Sequence, residues 1–149
     1  MDTYQGYGFY EDETHLTQTA YEELYKKIKA SNSELKELIH SYYEENKSDY
    51  ENEEDSFYDF CEEYYENTLF LWHGIEGVIV DFINEQLYNN KTVFKYEDCC
   101  YHVEATLPKD DNERDAMPTL VSIRDIIRKW IAPYYAILPE IEWKTIHLD

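Results

Sequence analysis

The chain has 149 residues, with 33 Asp and Glu against 13 Lys and Arg, for a formal net charge of -20. That balance argues against DNA or RNA as a direct ligand, because binding phosphates requires cations that displace their counterions, and it disfavours anionic membrane surfaces. Aromatics at 17%, including 16 tyrosines, separate the chain from acidic disordered tails, which are poor in aromatics, so one packed domain is expected.

Reading along the chain, TYQGYGFY at 3–10 alternates Tyr7 and Phe9 with Gly6 and Gly8. This suits a short strand with close backbone approach, or an edge strand weakened by glycine. Asp12 or Thr14 can cap a following helix whose face carries Leu16, Ala20, Leu24 and Ile28, and Ser31-Asn32-Ser33 ends it. Ser33 can cap a second helix, with Leu35, Leu38, Ile39, Tyr42 and Tyr43 at helical spacing. After the polar link NKSDYENEED, a third helix starts near Glu53. Phe57, Phe60, Cys61, Tyr64 and Tyr65 repeat that spacing, continued by Thr68, Leu71 and Trp72. Val78, Ile79, Phe82, Ile83 and Leu87 mark a fourth helix or a kinked continuation, which Asn89-Asn90 stops.

The texture then changes. TVFKYEDCCYHVEATL reads as a β-hairpin, with Phe94 and Tyr96 on one side and Tyr101, Val103 and Ala105 on one side. A polar loop, PKDDNERDAM, leads to Pro118 or Thr119 opening a helix with Leu120, Ile123, Ile126, Ile127, Trp130 and Ile131 inward. Pro133 and Pro139 bracket its end, and IEWKTIHL closes as a strand. The fold class is therefore α+β. A small, mainly antiparallel sheet of about four strands carries a helical insertion of three to four helices and one further helix packed on it. Residues 1–149 form a single domain, with 13–88 mainly helical and 92–149 a hairpin, helix and strand.

No motif brings catalytic groups together. Glu37 and His40 form a lone ExxH on a helix, whereas a carboxylate-bridged di-iron bundle needs two such motifs and two more glutamates. His102 and Glu104 make an HxE without the PCxxC partner of zinc deaminases. DYENEED at 49–55 lacks the glycine and terminal glutamate of a calcium loop. Phosphate-binding loops and nucleophile elbows are absent. The expectation is a protein with no catalytic residue, no metal and no cofactor. The three cysteines, Cys61, Cys99 and Cys100, make a poor disulfide framework, with Cys61 read as a small buried hydrophobe. They point to a reducing compartment, hence cytoplasm. No run approaches the ~20 apolar residues of a membrane span, and the N-terminus lacks the features of a signal peptide.

The charge is polarised. Residues 1–67 hold 19 acids and 5 bases, a net of -14, leaving -6 for the remainder. In the third helix Asp55, Asp59, Glu62 and Glu66 form a stripe at i, i+4, i+7 and i+11 with no interleaved lysine. Like charges at that spacing cost about 0.2–0.5 kcal/mol a pair. One reading is a solvated face that keeps the protein soluble. The other is an imitation of a phosphate strand, because acids recur along this segment at about one per 3 Å, close to the ~3.4 Å of one DNA strand. The tyrosine doublets 42/43, 64/65 and 134/135 place one ring inward and its neighbour near the edge, where it either completes the core boundary or offers contact area to a partner.

The helix EEDSFYDFCEEYYEN, the segment GIEGVIVDFINEQL and the hairpin VFKYEDCCYHVEATLPKD resemble the small acidic, tyrosine-rich accessory proteins of phages and mobile elements in Gram-positive bacteria, among them anti-restriction and anti-CRISPR inhibitors that mimic DNA. The resemblance implies inhibition of a host defence protein through its basic groove. The expected partner is thus a basic DNA- or RNA-binding protein. Its expected contacts are Glu44, Glu45, Asp49, Glu51, Glu53, Glu54, Asp55, Asp59, Glu62, Glu63 and Glu66, with Tyr43 and Tyr65. The competing expectation is a phage or bacterial scaffold protein that self-associates through an apolar surface. A third is a metal-dependent enzyme built on Glu37 and His40.

Overall fold

Strand β1 (Asp2–Tyr10) runs through the middle of an antiparallel sheet, with β3 (Cys100–Ala105) on one side and β4 (Glu142–Leu148) on the other. The short β2 (Phe94–Glu97) pairs with β3, giving the order β2-β3-β1-β4. The computed structural model describes residues 2–64, 74–97, 99–105, 120–139 and 142–148. The edge-strand reading of β1 is therefore corrected, and the close-approach reading explains Gly8. A Cβ at this position would collide with the Tyr101 carbonyl oxygen and lie 2.9 Å from His102 Cβ. The register sets Phe9 opposite Tyr101 and Tyr96 opposite Tyr101, so three aromatic rings form one cross-strand row. Their centroids are 5.2 Å (Phe9–Tyr101) and 4.8 Å (Tyr96–Tyr101) apart.

The helices are α1 (Ala20–Lys29), α2 (Leu35–Glu45), α3 (Glu53–Glu63), α4 (Gly74–Tyr88) and α5 (Leu120–Trp130), and α4 lies against β2 while α1, α2 and α3 pack on one another. The class is α+β. One apolar cluster joins Phe9, Phe94, Tyr101 and Val103 of the sheet to Leu24, Ile28, Ile39, Phe57, Phe60, Ile79, Ile83, Ile123 and Ile127 of the helices. Burying each such side chain contributes about 1.5–3 kcal/mol. Cys61 is buried in it, as expected for a small hydrophobe.

Local signals explain most boundaries. Ser33 Oγ accepts from Leu35 N at 3.0 Å at the start of α2, and Asn52 Oδ1 accepts from Asp55 N at 3.0 Å at the start of α3. Asn89 and Asn90 end α4 with φ of 51° and 66°, the left-handed region asparagine tolerates better than most residues. Gly74 enters α4 at φ 75°, and residues 65–73, which decide between a separate helix and a kinked continuation, lie outside the described residues. Asn84 carries out a less visible task. Its amide donates to Phe94 O at 2.9 Å and accepts from Phe94 N at 2.9 Å and Val93 N at 3.2 Å, completing the backbone pairing of β2 from inside α4.

Three expectations fail for definable reasons. Asp12 lies in a 3-10 turn (Glu11–Glu13) and Thr14 Oγ1 accepts from Ile137 N, so neither caps α1, which begins only at Ala20. Leu16 bridges Tyr135 in extended conformation because the backbone of 15–17 is already bonded to 134–136. Leu38 and Leu87, placed on buried helix faces by spacing, are 43% and 40% exposed. The doublet Tyr134/Tyr135 also departs from the expected pattern, since both residues are buried. The proposed caps Pro118 and Thr119, the loop 108–117, and Thr68, Leu71 and Trp72 lie outside the described residues.

Candidate acidic docking face

At about 100° per residue, the positions of α3 divide into two arcs. Ser56, Phe57, Phe60 and Cys61 fill the buried one. Around the other follow Glu54, Tyr58, Glu62, Asp55, Asp59 and Glu63, all exposed. Five of the helix's six acids thus face outward. None of the five is paired with a lysine, arginine or histidine among the described residues. Over the roughly 16 Å of this helix that is about one uncompensated charge per 3.3 Å.

Glu53 is the exception, because the same arithmetic turns it into the buried arc. Its side chain is only 15% exposed and is paired with Lys29 Nζ at 2.8 Å. Tyr25 donates to it at 3.0 Å and His40 Nδ1 lies 3.1 Å away. Burial pushes the Glu53 carboxyl up, but the bonds from Lys29, His40 and Tyr25 outweigh it and hold the group below the ordinary glutamate value. Glu53 therefore joins α1, α2 and α3 internally and is not one of the free acids of the face. In the ExxH segment, His40 turns to Glu53 and, at 3.8 Å, to Glu44. Among the described residues no three metal-ligating groups converge.

The other expected contact residues continue the face from α2. Glu44, Glu45, Asp49 and Glu51 are exposed, Glu44 lying 3.7 Å from Lys47 Nζ. Tyr43 is half-buried beneath Lys47, whose Nζ sits 5.9 Å from the ring centroid. Tyr65 and Glu66 lie outside the described residues. Tyr58, which was not among the expected contacts, is the exposed aromatic of the face at 55%. It follows Phe57 by one position, so its outward direction was legible from the helical period.

Both α2 and α3 end in acids, with no basic residue in the last turn of either. The C-terminal end of a helix carries partial negative charge, and an acid there costs about 0.3–1 kcal/mol. Neutral phenols hold several of these carboxylates in place. Tyr50 donates to Asp59 at 2.7 Å and Tyr21 to Glu62 at 3.4 Å, and the Tyr42 hydroxyl lies 3.3 Å from that of Tyr50. Burial, with the bond to Glu53, pushes Tyr25 up to about 12; burial raises Tyr21 and Tyr42 as well. All remain protonated donors at neutral pH. A phenol orients a carboxylate without cancelling its charge.

A second acidic group went unnoticed in the sequence. Glu11, in the turn after β1, accepts from Tyr96 at 2.8 Å and Tyr135 at 2.6 Å. Tyr101 donates in turn to the Tyr135 oxygen, and burial pushes the carboxyl of Glu76, at the start of α4, up to about 8. These residues are scattered over the chain, and no local pattern connects them.

Compared with known proteins, the chain matches no family model, no curated protein and no solved structure. No helix among the described residues is long and apolar enough to cross a membrane.

Proposed function

We propose that the face formed by the outward acids of α3 and the C-terminal end of α2 docks in the basic groove of a nucleic-acid-binding protein and blocks it in the manner of a DNA strand. On this reading the protein is a non-enzymatic inhibitor, and a host defence protein is the target that the resemblance implies. The observation that carries the reading is the spacing of five uncompensated acids on α3, about one per 3.3 Å against ~3.4 Å for the phosphates of one strand. The acids closing α2 and α3 support it further. They lower stability where a base would raise it, and solubility alone does not require charges at those positions. Long-range attraction would steer the encounter, with Tyr58 and Tyr43 adding contact area.

The self-association reading has less to stand on. Among the described residues Leu38, Tyr58, Leu87 and Ile137 are the exposed large hydrophobics, the first three on three different helices and the last in the coil before β4. Singly exposed apolar residues are ordinary on protein surfaces.

The test is capture from a bacterial lysate on the immobilised protein, beside an Asp55→Lys/Asp59→Lys/Glu62→Lys variant. DNA-binding proteins should be retained at about 0.1 M salt and released near 1 M, where the screening length falls from ~10 to ~3 Å. Duplex DNA should displace them, and the variant should retain none. Retention of the same proteins by the variant refutes the proposal.

A further inference from the structure

The few bases of this acidic chain gather at one place. The last turn of α1 carries Lys26, Lys27 and Lys29, and the last turn of α5 carries Arg128 and Lys129. Trp130 brings the two ends together. Lys27 Nζ sits 4.6 Å from its ring centroid and donates to Lys129 O at 3.2 Å, while Lys129 Nζ lies 5.7 Å from the same ring. Lys29 is paired with Glu53, but Lys26, Lys27, Arg128 and Lys129 form no ion pair among the described residues. Bases in a last turn suit the helix dipole. That does not explain why two ammoniums share one indole, unpaired, in a chain with 33 acids. Burial, then the charge of Lys129, lower the Lys27 ammonium, and a carboxylate brought to this place would favour its charged form.

The acidic arc of the same molecule does not meet this patch. Tyr21 and Tyr25 turn toward α3, where their rings meet Tyr58 and Phe57. Lys27 follows Tyr25 by two positions, about 200° round α1, and so reaches the opposite flank, toward α5. A hollow of about 380 Å³ opens there between Lys26, Lys27, Pro133 and Tyr134, with Glu23 on its wall. The unpaired cations of this flank and the unpaired acids of α3 are complementary surfaces on one chain, so every solution of it holds both at equal concentration. We propose that the basic patch of α1 and α5 docks the α3 acidic arc of a second copy, head to tail. The contact joins two different surfaces, so it continues into a chain of copies unless the rotation closes a ring. It is ionic, unlike an apolar self-association, and it rests on the charge of the arc, not on its reading as a DNA strand. Copies inside such a chain would have the arc covered, and the terminal copy would leave it open to a basic partner. The net charge of -20 sets a salt window. At about 10 mM salt the screening length of ~30 Å lets whole molecules repel, at about 0.15 M it falls to ~8 Å and the facing patches decide, and at about 1 M, with ~3 Å, the patches are screened as well.

The experiment is sedimentation of the full chain over a dilution series at these three salts. At about 0.15 M the weight-average mass should rise with concentration to about twice that of the monomer or more, and at about 10 mM and about 1 M it should stay at the monomer. Two triple variants, all at exposed positions, divide the contact. Lys26→Glu/Arg128→Glu/Lys129→Glu and Asp55→Lys/Asp59→Lys/Glu62→Lys should each be monomeric alone. Their equimolar mixture, which restores one acidic arc opposite one basic patch, should associate. A parent that stays monomeric at every salt, association undiminished at about 1 M, variants that associate as the parent does, or a mixture that stays monomeric overturns the proposal. Capture of DNA-binding proteins by the arc is read separately, on the immobilised chain, and does not depend on these outcomes.

Discussion

Replacing Glu53 tests the division of α3 into a docking arc and a packing arc. The carboxylate holds Lys29 at 2.8 Å, Tyr25 at 3.0 Å and His40 at 3.1 Å. Hydrogen bonds to a charged group contribute about 1.5–3 kcal/mol each when both partners are buried. Here Lys29 is 36% and His40 59% exposed, so both can recover water and their bonds count for much less. The Tyr25 hydroxyl, half-buried and left without its acceptor, carries most of the effect, and Glu53→Ala should cost about 2 kcal/mol. Glu54→Ala, one residue along and fully outward, should change stability by less than about 0.5 kcal/mol. In urea denaturation at neutral pH the first variant should unfold at about 1 M lower denaturant and the second within error of the parent. The pH profile supplies a further check. Because Glu53 is held below its ordinary value, its stabilisation is present above the unfolded pKa and lost as pH falls through the folded one, and Glu53→Ala should flatten that part of the acid limb. Equal losses for the two variants would refute the assignment of Glu53 to the interior.

Cys99 holds φ at 62° in the hairpin turn, a conformation that costs an L-residue roughly 1–2 kcal/mol, so Cys99→Gly should raise stability by about 0.5–1 kcal/mol after glycine's entropic cost; a melting curve decides it. Gly8→Ala should cost about 3 kcal/mol, since the new Cβ meets the Tyr101 backbone, which cannot yield without parting β1 from β3; unchanged denaturation would contradict the register. Glu45→Lys places a base in the last turn of α2 where none stands, and should stabilise the free protein by about 0.5–1 kcal/mol while weakening partner capture.

Much of this architecture is legible locally. The 3-4-7 spacing of Phe57, Phe60, Cys61 and Tyr64 marks α3, Ser33 and Asn89-Asn90 mark helix ends, and the aromatic alternation marks the hairpin, because each signal acts through near neighbours. Leu16 shows where such reading fails. Its spacing to Ala20 and Leu24 suits a helix, yet its backbone is claimed by Tyr135, which no periodicity can indicate. Glu53 failed differently: its inward angle follows from the helical period, but the run of acids around it suggested a uniform surface. The bonds of Glu11 to Tyr96 and Tyr135 were not legible at all, because only the tertiary fold brings the turn after β1 to β2 and to the segment after α5.

The same fold shows why a chain with so few cations can hold so many carboxylates in defined positions. Lysine or arginine would fix a carboxylate and cancel it together, leaving a neutral surface. Tyrosine separates the two effects. Its hydroxyl donates to Asp59, Glu62, Asp81 and Glu11, while its ring packs into the core beside Phe57 and Phe60. On α3 the outcome is an arc of exposed, uncancelled charge in which phenols orient Asp59 and Glu62. At Glu76 burial pushes the carboxyl up to about 8. Substituting the phenols separates these cases. Tyr50→Phe should leave the net charge and fold intact yet loosen Asp59, weakening capture at fixed salt, whereas Tyr96→Phe, which releases Glu11 outside the face, should leave capture unchanged.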